Sequence, residues 1–171
     1  MNQLEHFNQI TTFIFDVDGV LTNSQVLVLE DGKLLRSMNV KDGYALKQAI
    51  NKGYRVCIIT GGKSEGVKIR LQNLGIKDIY LGQSDKMEAY EEYIYLYDLK
   101  PANILYMGDD LPDVPVMRKV ALAACPRDAA PEVLETANYV SGIPGGQGCA
   151  RDVIEKVMRV QGKWIEQQTP E

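Results

Sequence analysis

The sequence is poor in the residue types on which several kinds of site depend. Its three cysteines, Cys57, Cys125 and Cys149, are odd in number and widely spaced. This spacing offers no CxxC pair for a structural zinc site and argues against a disulfide framework. His6 is the only histidine, so serine–histidine–aspartate, cysteine–histidine and multi-histidine metal sites are excluded unless a partner supplies an imidazole.

Long apolar runs and a strong basic charge are also missing. No segment approaches the ~18 apolar residues of a membrane span, and the first ten residues lack the regions of a secretory signal. The formal net charge is -4 with Lys and Arg scattered, so the positive patch of a nucleic-acid-binding protein is missing. We expect one domain over residues 1–171, located in the cytoplasm, with no nucleic-acid partner and no membrane association.

Short β-rich runs alternate with helical patterns along the chain. The strand candidates are 12–15, 54–60, 78–81, 104–107 and 120–124. The helix candidates are 42–52 with Asp42 as N-cap, a helix capped by Ser64 and closed by Gly75, 86–97, and 148–161. Strands that alternate with helices predict an α/β fold with a doubly wound, mainly parallel sheet and helices on both faces.

One segment breaks the alternation and predicts a protruding β-hairpin over about 24–40. Two apolar runs, 26–30 and 33–40, flank Asp31-Gly32, a dipeptide typical of a type I′ turn. Both faces of the first run are apolar, and a hairpin can bury only one face against its own subunit. We therefore expect a homo-oligomer assembled partly through the hairpin. The alternative is a strand pair packed wholly onto its own core.

Polar clusters follow three of the predicted strands. They are Asp16-Val17-Asp18-Gly19, Thr60-Gly61-Gly62 and Gly108-Asp109-Asp110-Leu111-Pro112-Asp113. In an open parallel sheet, ligands bind at the carboxyl ends of the strands, so the three clusters should meet. Carboxylates that meet need a hard cation, and Mg²⁺ takes carboxylates, a carbonyl, waters and a substrate phosphate. The sequence therefore predicts a magnesium site for phosphoryl chemistry.

These clusters, together with Lys86, resemble in order and placement the four motifs of the haloacid dehalogenase superfamily. The resemblance implies that Asp16 is the nucleophile that forms an aspartyl-phosphate, and that Asp18 is the general acid and base. It also implies that Mg²⁺ is held by Asp16, Asp109 and the backbone carbonyl of Asp18. The simpler interpretation of Asp16 and Asp18 is a pair of turn formers before Gly19.

The remaining motif residues receive roles from the same resemblance. Thr60 and Gly61 would donate hydrogen bonds to the transferring phosphoryl oxygens. Lys86 would lie between nucleophile and phosphate, and Asp113 would orient Lys86 or metal-bound water. Alternatively, Lys86 is a solvated residue in a first helical turn. Asp110 is interpreted only as the cap of the following helix.

The spacing of the motifs leaves no room for an inserted cap domain. Such a layout with a hairpin resembles the capless, tetrameric phosphatases that act on 3-deoxy-D-manno-octulosonate 8-phosphate (KDO 8-phosphate). The segments that carry this resemblance are NVKDGYALK (39–47), GQSDK (82–86), GDDLPDVPVM (108–117) and GIPGGQGCARDV (142–153). It implies hydrolysis to KDO and phosphate in lipopolysaccharide precursor synthesis, in a homotetramer with sites at subunit interfaces.

The resemblance also implies a set of substrate contacts. They are Asp18, Asn39, Val40, Lys41, Asp42, Gly43, Lys47, Gly61, Gly62, Arg70 and Lys86. The cations of this set suit a substrate with both a phosphate and a carboxylate. The Gly-rich tail, about 142–149, is expected to approach a neighbouring site. Simpler interpretations are a surface Arg70 paired with an acid, and a tail that only leads into the last helix.

The chain departs from the family pattern at two positions. Gly62 and Lys47 stand where Arg is frequent, which removes a bidentate partner for a carboxylate, and Lys63 is a candidate replacement. Phosphatases of the nine-carbon 2-keto-3-deoxynononate 9-phosphate tend to carry Glu in place of Gly62, and this substrate ranks second. A third hypothesis is a non-catalytic binding protein, which would have no use for Asp18.

Overall fold

A parallel sheet of six strands, flanked by helices on both faces, forms the centre of the computed structural model, which describes residues 2–164. The strands are β1 (Thr12–Phe15), β2 (Leu27–Val28), β3 (Leu34–Leu35), β4 (Arg55–Ile59), β5 (Asp78–Tyr80), β6 (Ile104–Met107), β7 (Leu122–Cys125) and β8 (Tyr139–Val140). The helices are α1 (Gln3–Gln9), α2 (Val40–Asn51), α3 (Glu65–Asn73), α4 (Lys86–Leu96), α5 (Val114–Met117), α6 (Pro131–Thr136) and α7 (Cys149–Val160). Residues 1 and 165–171 of the predicted domain lie outside the described residues.

The strand order of the main sheet is β5-β4-β1-β6-β7-β8, and every neighbouring pair is parallel. The predicted doubly wound α/β fold is therefore confirmed. The hairpin and α2 fill the interval between β1 and β4, which leaves no inserted cap domain there. Strand β8 was not predicted, because its two residues are too few to show a periodic pattern. Within the described residues, no helix has the length and apolar character to cross a membrane.

Two apolar clusters, one on each face of the sheet, hold the helices in place. Along β1, Phe13 and Phe15 belong to the cluster that includes buried residues of α2, α3 and α7. Ile14 points the other way, into the cluster formed with α4, α5 and α6. This alternation is the two-residue period of a strand buried on both faces. Strand β1 is thus the centre of the molecule, and its carboxyl end is where the chain leaves the core.

The hairpin forms as predicted, but with a different turn. Leu29 N–H donates to the carbonyl of Lys33 at 2.9 Å, which leaves a loop of Glu30, Asp31 and Gly32. Gly32, with φ of +83°, is the only one of these with a left-handed backbone. A type I′ turn needs positive φ at both central residues, so that prediction was wrong and the loop is the three-residue kind with Gly in the left-handed position.

Apolar side chains remain exposed along the hairpin of the single chain. Leu27 and Val28 of β2 are 62% and 64% exposed, and Leu34 and Leu35 of β3 are also exposed. The alternative interpretation, a strand pair packed wholly onto its own core, is therefore wrong. Such a contiguous apolar surface is typical of a protein interface.

Helix α2 begins before the predicted position, and its N-cap is Asn39 rather than Asp42. The Asn39 side chain accepts hydrogen bonds from the N–H groups of Lys41 and Asp42 at 2.8 and 3.3 Å. Asp42 instead packs against the first turn of α7, where its Oδ1 accepts from the Arg151 N–H at 2.9 Å. Its Oδ2 is buried without a hydrogen-bond partner. Burial raises the pKa of Asp42 to about 6, against the opposing effect of Arg151.

The Asp42 carboxylate makes the stability of the protein depend on pH. Its pKa is higher in the folded than in the unfolded chain, so the folded state binds more protons between about pH 4 and 6 and loses stability as pH rises through that range. Asp42→Asn keeps the hydrogen-bond acceptor without the charge. We expect the unfolding free energy of the variant, relative to that of wild type, to increase by about 1–3 kcal/mol between pH 4 and pH 6.

Urea titrations at pH 4, 5 and 6 measure this difference. Asp31→Asn, which removes an exposed carboxylate in the hairpin turn, is the matched control and should track wild type. A difference between Asp42→Asn and wild type that stays constant with pH would contradict the expectation.

Candidate active site

The carboxyl ends of β1, β4 and β6 open into a cavity of about 520 Å³, here called the catalytic cavity. Asp16, Thr60 and Asp109 follow these strands within two residues, and Lys86 is the first residue of α4. The structure thus brings together the motif residues that lie far apart in the sequence. The lining residues are Asp16, Asp18, Ser24, Thr60, Gly61, Gly62, Gln83, Ser84, Lys86, Asp109, Asp110, Pro112 and Asp113.

Lys86 is the buried cation of the catalytic cavity. Its Nζ lies 2.8 Å from Asp16 Oδ2 and 2.7 Å from Asp113 Oδ1, and the side chain is only 5% exposed. Burial alone would lower the pKa of Lys86, but the charges of Asp16 and Asp113 raise it above its ordinary value. The alternative of a solvated lysine is therefore wrong. Asp85, the residue before it, caps α4 by accepting from the Met87 N–H at 2.9 Å.

Asp113 has all of its hydrogen-bonding capacity directed to the protein. Its Oδ1 accepts from Tyr106 at 2.6 Å as well as from Lys86, and its Oδ2 accepts from the N–H groups of Asp109 and Asp110 at 2.9 and 3.2 Å. The contact between Lys86 and Asp113 is the one that the predicted role of Asp113 in orienting Lys86 requires. Tyr106 was missed in the sequence because it stands within the apolar run of β6, where an aromatic residue is ordinary core.

Asp16 and Asp109 are left with excess negative charge. Carboxylate oxygens of Asp16, Asp109 and Asp113 lie within 4.8 Å of one another, and Asp109 Oδ1 is buried without a partner. Burial and neighbouring carboxylates raise the pKa of Asp16 to about 7 and that of Asp109 to about 8. A divalent cation would offset this repulsion, and oxygen donors are the ligands that Mg²⁺ takes. The residues present therefore fit the implied metal.

Asp18 is paired with a residue that the sequence analysis did not identify. Arg36, which follows β3, donates from Nε to Asp18 Oδ1 at 2.7 Å and from Nη2 to Asp18 Oδ2 at 3.1 Å. Strand β1 ends at Phe15, so Asp16 and Asp18 reach one cavity through the turn that follows the strand. A single Arg within the apolar second arm of the hairpin was the available signal.

The loop Thr60-Gly61-Gly62, which follows β4, lies next to Asp18 and Arg36. Thr60 is buried, and its Oγ1 accepts from the Gly62 N–H at 3.2 Å. The hydroxyl keeps its own proton for another acceptor, because a hydroxyl can both accept and donate. Thr60, Gly61 and Gly62 together form one wall of the catalytic cavity.

The Gly-rich tail packs on its own subunit. A Cβ on Gly145 would lie 1.9 Å from the carbonyl oxygen of Gly19, and a Cβ on Gly19 would lie 1.8 Å from Asp109 Oδ2. Gly146 N–H donates to the carbonyl of Val20 at 2.9 Å. These contacts lie within one subunit, so the expected approach of the tail to a neighbouring site stays a prediction. The tail leads into α7 and supports the loop that carries Asp18.

The other predicted substrate contacts lie outside the catalytic cavity of the single chain. Asn39 and Asp42 act in helix capping and packing, Val40 is exposed, and Lys41 lines a separate cavity over α7. The remaining three are the exposed Lys47, the buried Gly43, and Arg70, whose Nη2 lies against Gly43. No carboxylate within residues 2–164 forms a salt bridge with Arg70, so the described part of the chain gives no support to the interpretation as an ion-paired surface Arg.

Comparisons with known proteins agree with this geometry. Residues 75–150 match the family of haloacid dehalogenase-like hydrolases. The chain is 40% identical over 154 residues to 3-deoxy-D-manno-octulosonate 8-phosphate phosphatase of Escherichia coli, covering 90% of this chain and 82% of the relative. The crystal structure of the Yersinia pestis phosphatase of the same name has a TM-score of 0.91 at 38% identity, covering 94% of this chain and 86% of that one.

A further similar structure contains ligands. It is the same phosphatase from Moraxella catarrhalis, in complex with a magnesium ion, a phosphate ion and a KDO molecule. Its TM-score is 0.91 at 28% identity, with 94% of this chain and 92% of that chain covered. From this likeness in sequence and fold, the chain belongs to the haloacid dehalogenase-like hydrolases, in the family of 3-deoxy-D-manno-octulosonate 8-phosphate phosphatases.

Proposed function

We propose that the protein is an Mg²⁺-dependent phosphatase that hydrolyses KDO 8-phosphate to KDO and phosphate through an aspartyl-phosphate. The observation that carries the proposal is the buried Asp16, held 2.8 Å from Lys86 at the end of the central strand, in a chain that is 40% identical to a phosphatase of that name. A buried carboxylate fixed beside a cation is arranged for attack on an anionic phosphate.

In the first half-reaction, an Asp16 oxygen would attack phosphorus while the bond from phosphorus to the sugar oxygen breaks. Asp18 would give its proton to the departing oxygen. In the second half-reaction, Asp18 would take a proton from water, and the water oxygen would attack phosphorus and release Asp16 as the free carboxylate. Asp18 thereby regains the proton that it gave up, and the bond between Asp16 and phosphorus is broken again, so the enzyme returns to its starting state.

Charge on the phosphoryl group would be balanced from two sides. Lys86 reaches Asp16 directly and would stay close to the phosphoryl oxygens, while the Thr60 hydroxyl and the Gly61 N–H would donate hydrogen bonds to them. Asp16, Asp109 and the Asp18 carbonyl would hold Mg²⁺, which when bound neutralises phosphate charge. Asp113 would support this set by orienting Lys86, and the 2.7 Å contact between the two residues supports this role.

We further propose that the enzyme is a homotetramer in which the exposed hairpin contacts neighbouring subunits. The exposed apolar residues of β2 and β3 support an interface there. Association would also offer a reason for the predicted contacts on the first turn of α2, which the catalytic cavity of the single chain does not include. A location in the cytoplasm is supported by three buried cysteines, none of them in a disulfide.

Asp16→Asn tests the nucleophile. The amide cannot form the acyl phosphate, so we expect kcat for KDO 8-phosphate to fall at least about 10³-fold. The melting temperature should be preserved or raised, because the variant removes a buried charge. EDTA should abolish turnover of the wild type, and added Mg²⁺ should restore it. Asp31→Asn is the control, and full activity of Asp16→Asn would refute the mechanism.

The choice between the two sugar acids is tested by comparing their kcat/KM values with Mg²⁺. Gly62 has no side chain that could offer a charge or a hydrogen bond to the longer sugar of 2-keto-3-deoxynononate 9-phosphate. We therefore expect kcat/KM to favour KDO 8-phosphate by about tenfold or more. A clear preference for the nine-carbon substrate would reverse the assignment and leave the phosphatase chemistry intact.

The interface is tested with Leu27→Asp and Val28→Asp in one variant. Buried carboxylates without partners oppose association, so we expect sedimentation velocity to show the oligomer dissociating toward monomers. Leu96→Asp, at an equally exposed position at the end of α4, is the matched control. An unchanged sedimentation coefficient in the hairpin variant would place the interface elsewhere.

A further inference from the structure

Gly62 leaves a space that the guanidinium of Arg36 fills. A Cβ built on Gly62 would lie 3.5 Å from Arg36 Nη2, 3.5 Å from Asp18 Oδ2 and 3.6 Å from Thr60 Oγ1. Any long side chain at position 62 would therefore extend toward the place that Arg36 now occupies. The missing side chain at position 62 thus leaves room for the guanidinium that Arg36 supplies from the hairpin.

Arg36 stands between the catalytic cavity and a second cavity. Its guanidinium contacts Asp18, which lines the catalytic cavity. It also lines a cavity of about 340 Å³, here called the outer cavity, together with Ser64 and Arg70. The Arg36 side chain is only 9% exposed, so its position is fixed by packing. Two guanidinium groups thus line the outer cavity, next to the residues that would hold the phosphate.

The ion pair with Asp18 does not use the whole guanidinium. It engages Nε and Nη2, which leaves Nη1 to donate to another acceptor. A planar guanidinium suits a carboxylate, because it can donate two parallel hydrogen bonds. An anion bound there would share Arg36 with Asp18, so its binding would also influence where the Asp18 carboxylate lies.

We propose that Arg36 is a specificity-determining residue that binds the carboxylate of the sugar acid from the space left open by Gly62. The inference rests on the proposed function, since it assigns the second anionic group of that substrate. Phosphate and carboxylate are then recognised separately, the first by Lys86 and the metal and the second by Arg36. Arg70 adds a second positive charge to the same region of the outer cavity.

The first test compares Arg36→Ala with wild type on two substrates. One is KDO 8-phosphate, and the other is mannose 6-phosphate, a sugar phosphate without a carboxylate. Loss of a charged hydrogen bond should raise KM for KDO 8-phosphate about 10- to 100-fold, while KM for mannose 6-phosphate changes by less than about threefold. Lys33→Ala, an exposed residue of the same hairpin, is the matched control and should leave both KM values unchanged.

The second test moves the cation across the space that the two positions share. Combining Arg36→Ala with Gly62→Arg should lower KM for KDO 8-phosphate about tenfold relative to Arg36→Ala alone, because the new side chain extends into the vacated volume. Gly62→Arg alone should impair both substrates, since two guanidinium groups would compete for one place. Arg36→Lys keeps the charge without the planar fork and should raise KM for KDO 8-phosphate about three- to tenfold.

Melting temperatures identify any variant that has lost its fold, and Arg36→Lys then decides in place of Arg36→Ala. An equal loss on both substrates, or a loss in kcat with KM unchanged, would mean that Arg36 only positions Asp18 and would overturn the proposal. An unchanged KM in Arg36→Lys and Arg36→Ala would do the same. Wild type that releases no phosphate from either substrate would instead contradict the proposed function.

Discussion

The constraint on which the site depends is the burial of several carboxylates at one edge of a parallel sheet. Carboxylate oxygens of Asp16, Asp109 and Asp113 lie within 4.8 Å of one another, and in a poorly solvated place neighbouring carboxylates raise one another's pKa. Each carboxylate is compensated differently. Asp113 accepts hydrogen bonds from Lys86 and three other donors, whereas Asp109 keeps a buried oxygen without a partner, whose negative charge a divalent cation would balance.

The parts of this arrangement that could be predicted from sequence are those that depend on local pattern. Strand β1 can be recognised as an apolar run followed directly by Asp16. Because ligands bind at the carboxyl ends of parallel strands, Thr60 and Asp109 can be expected at the same place. Lys86 could be placed only through the resemblance, because an isolated Lys at a helix start is ordinarily solvated. The structure gives it two carboxylate partners, Asp16 and Asp113.

The features that could not be predicted depend on contacts between distant segments. Arg36 meets Asp18 only because the hairpin folds back over the second motif, and no periodic pattern encodes that path. Asp42 looked like a helix cap because its residue type and position suit one, but Asn39 suits the role as well and leaves Asp42 free to face α7. The role of Gly145 could not be predicted either. The sequence does not distinguish a glycine required for close packing, such as that of Gly145 on Gly19, from one that provides flexibility.

In the proposed assignment, chemistry and substrate choice are carried by different parts of the fold. Asp16, Thr60 and Asp109, which are proposed for phosphoryl transfer, follow the ends of buried strands, where packing on both faces fixes them, as catalytic geometry requires. Arg36 follows Leu34 and Leu35, which are exposed on the hairpin. A neighbouring subunit that covers these leucines would exclude water from the surroundings of Arg36 and strengthen its charged hydrogen bond to an anion. Subunit association and affinity for the sugar acid are in this way expected to rise together.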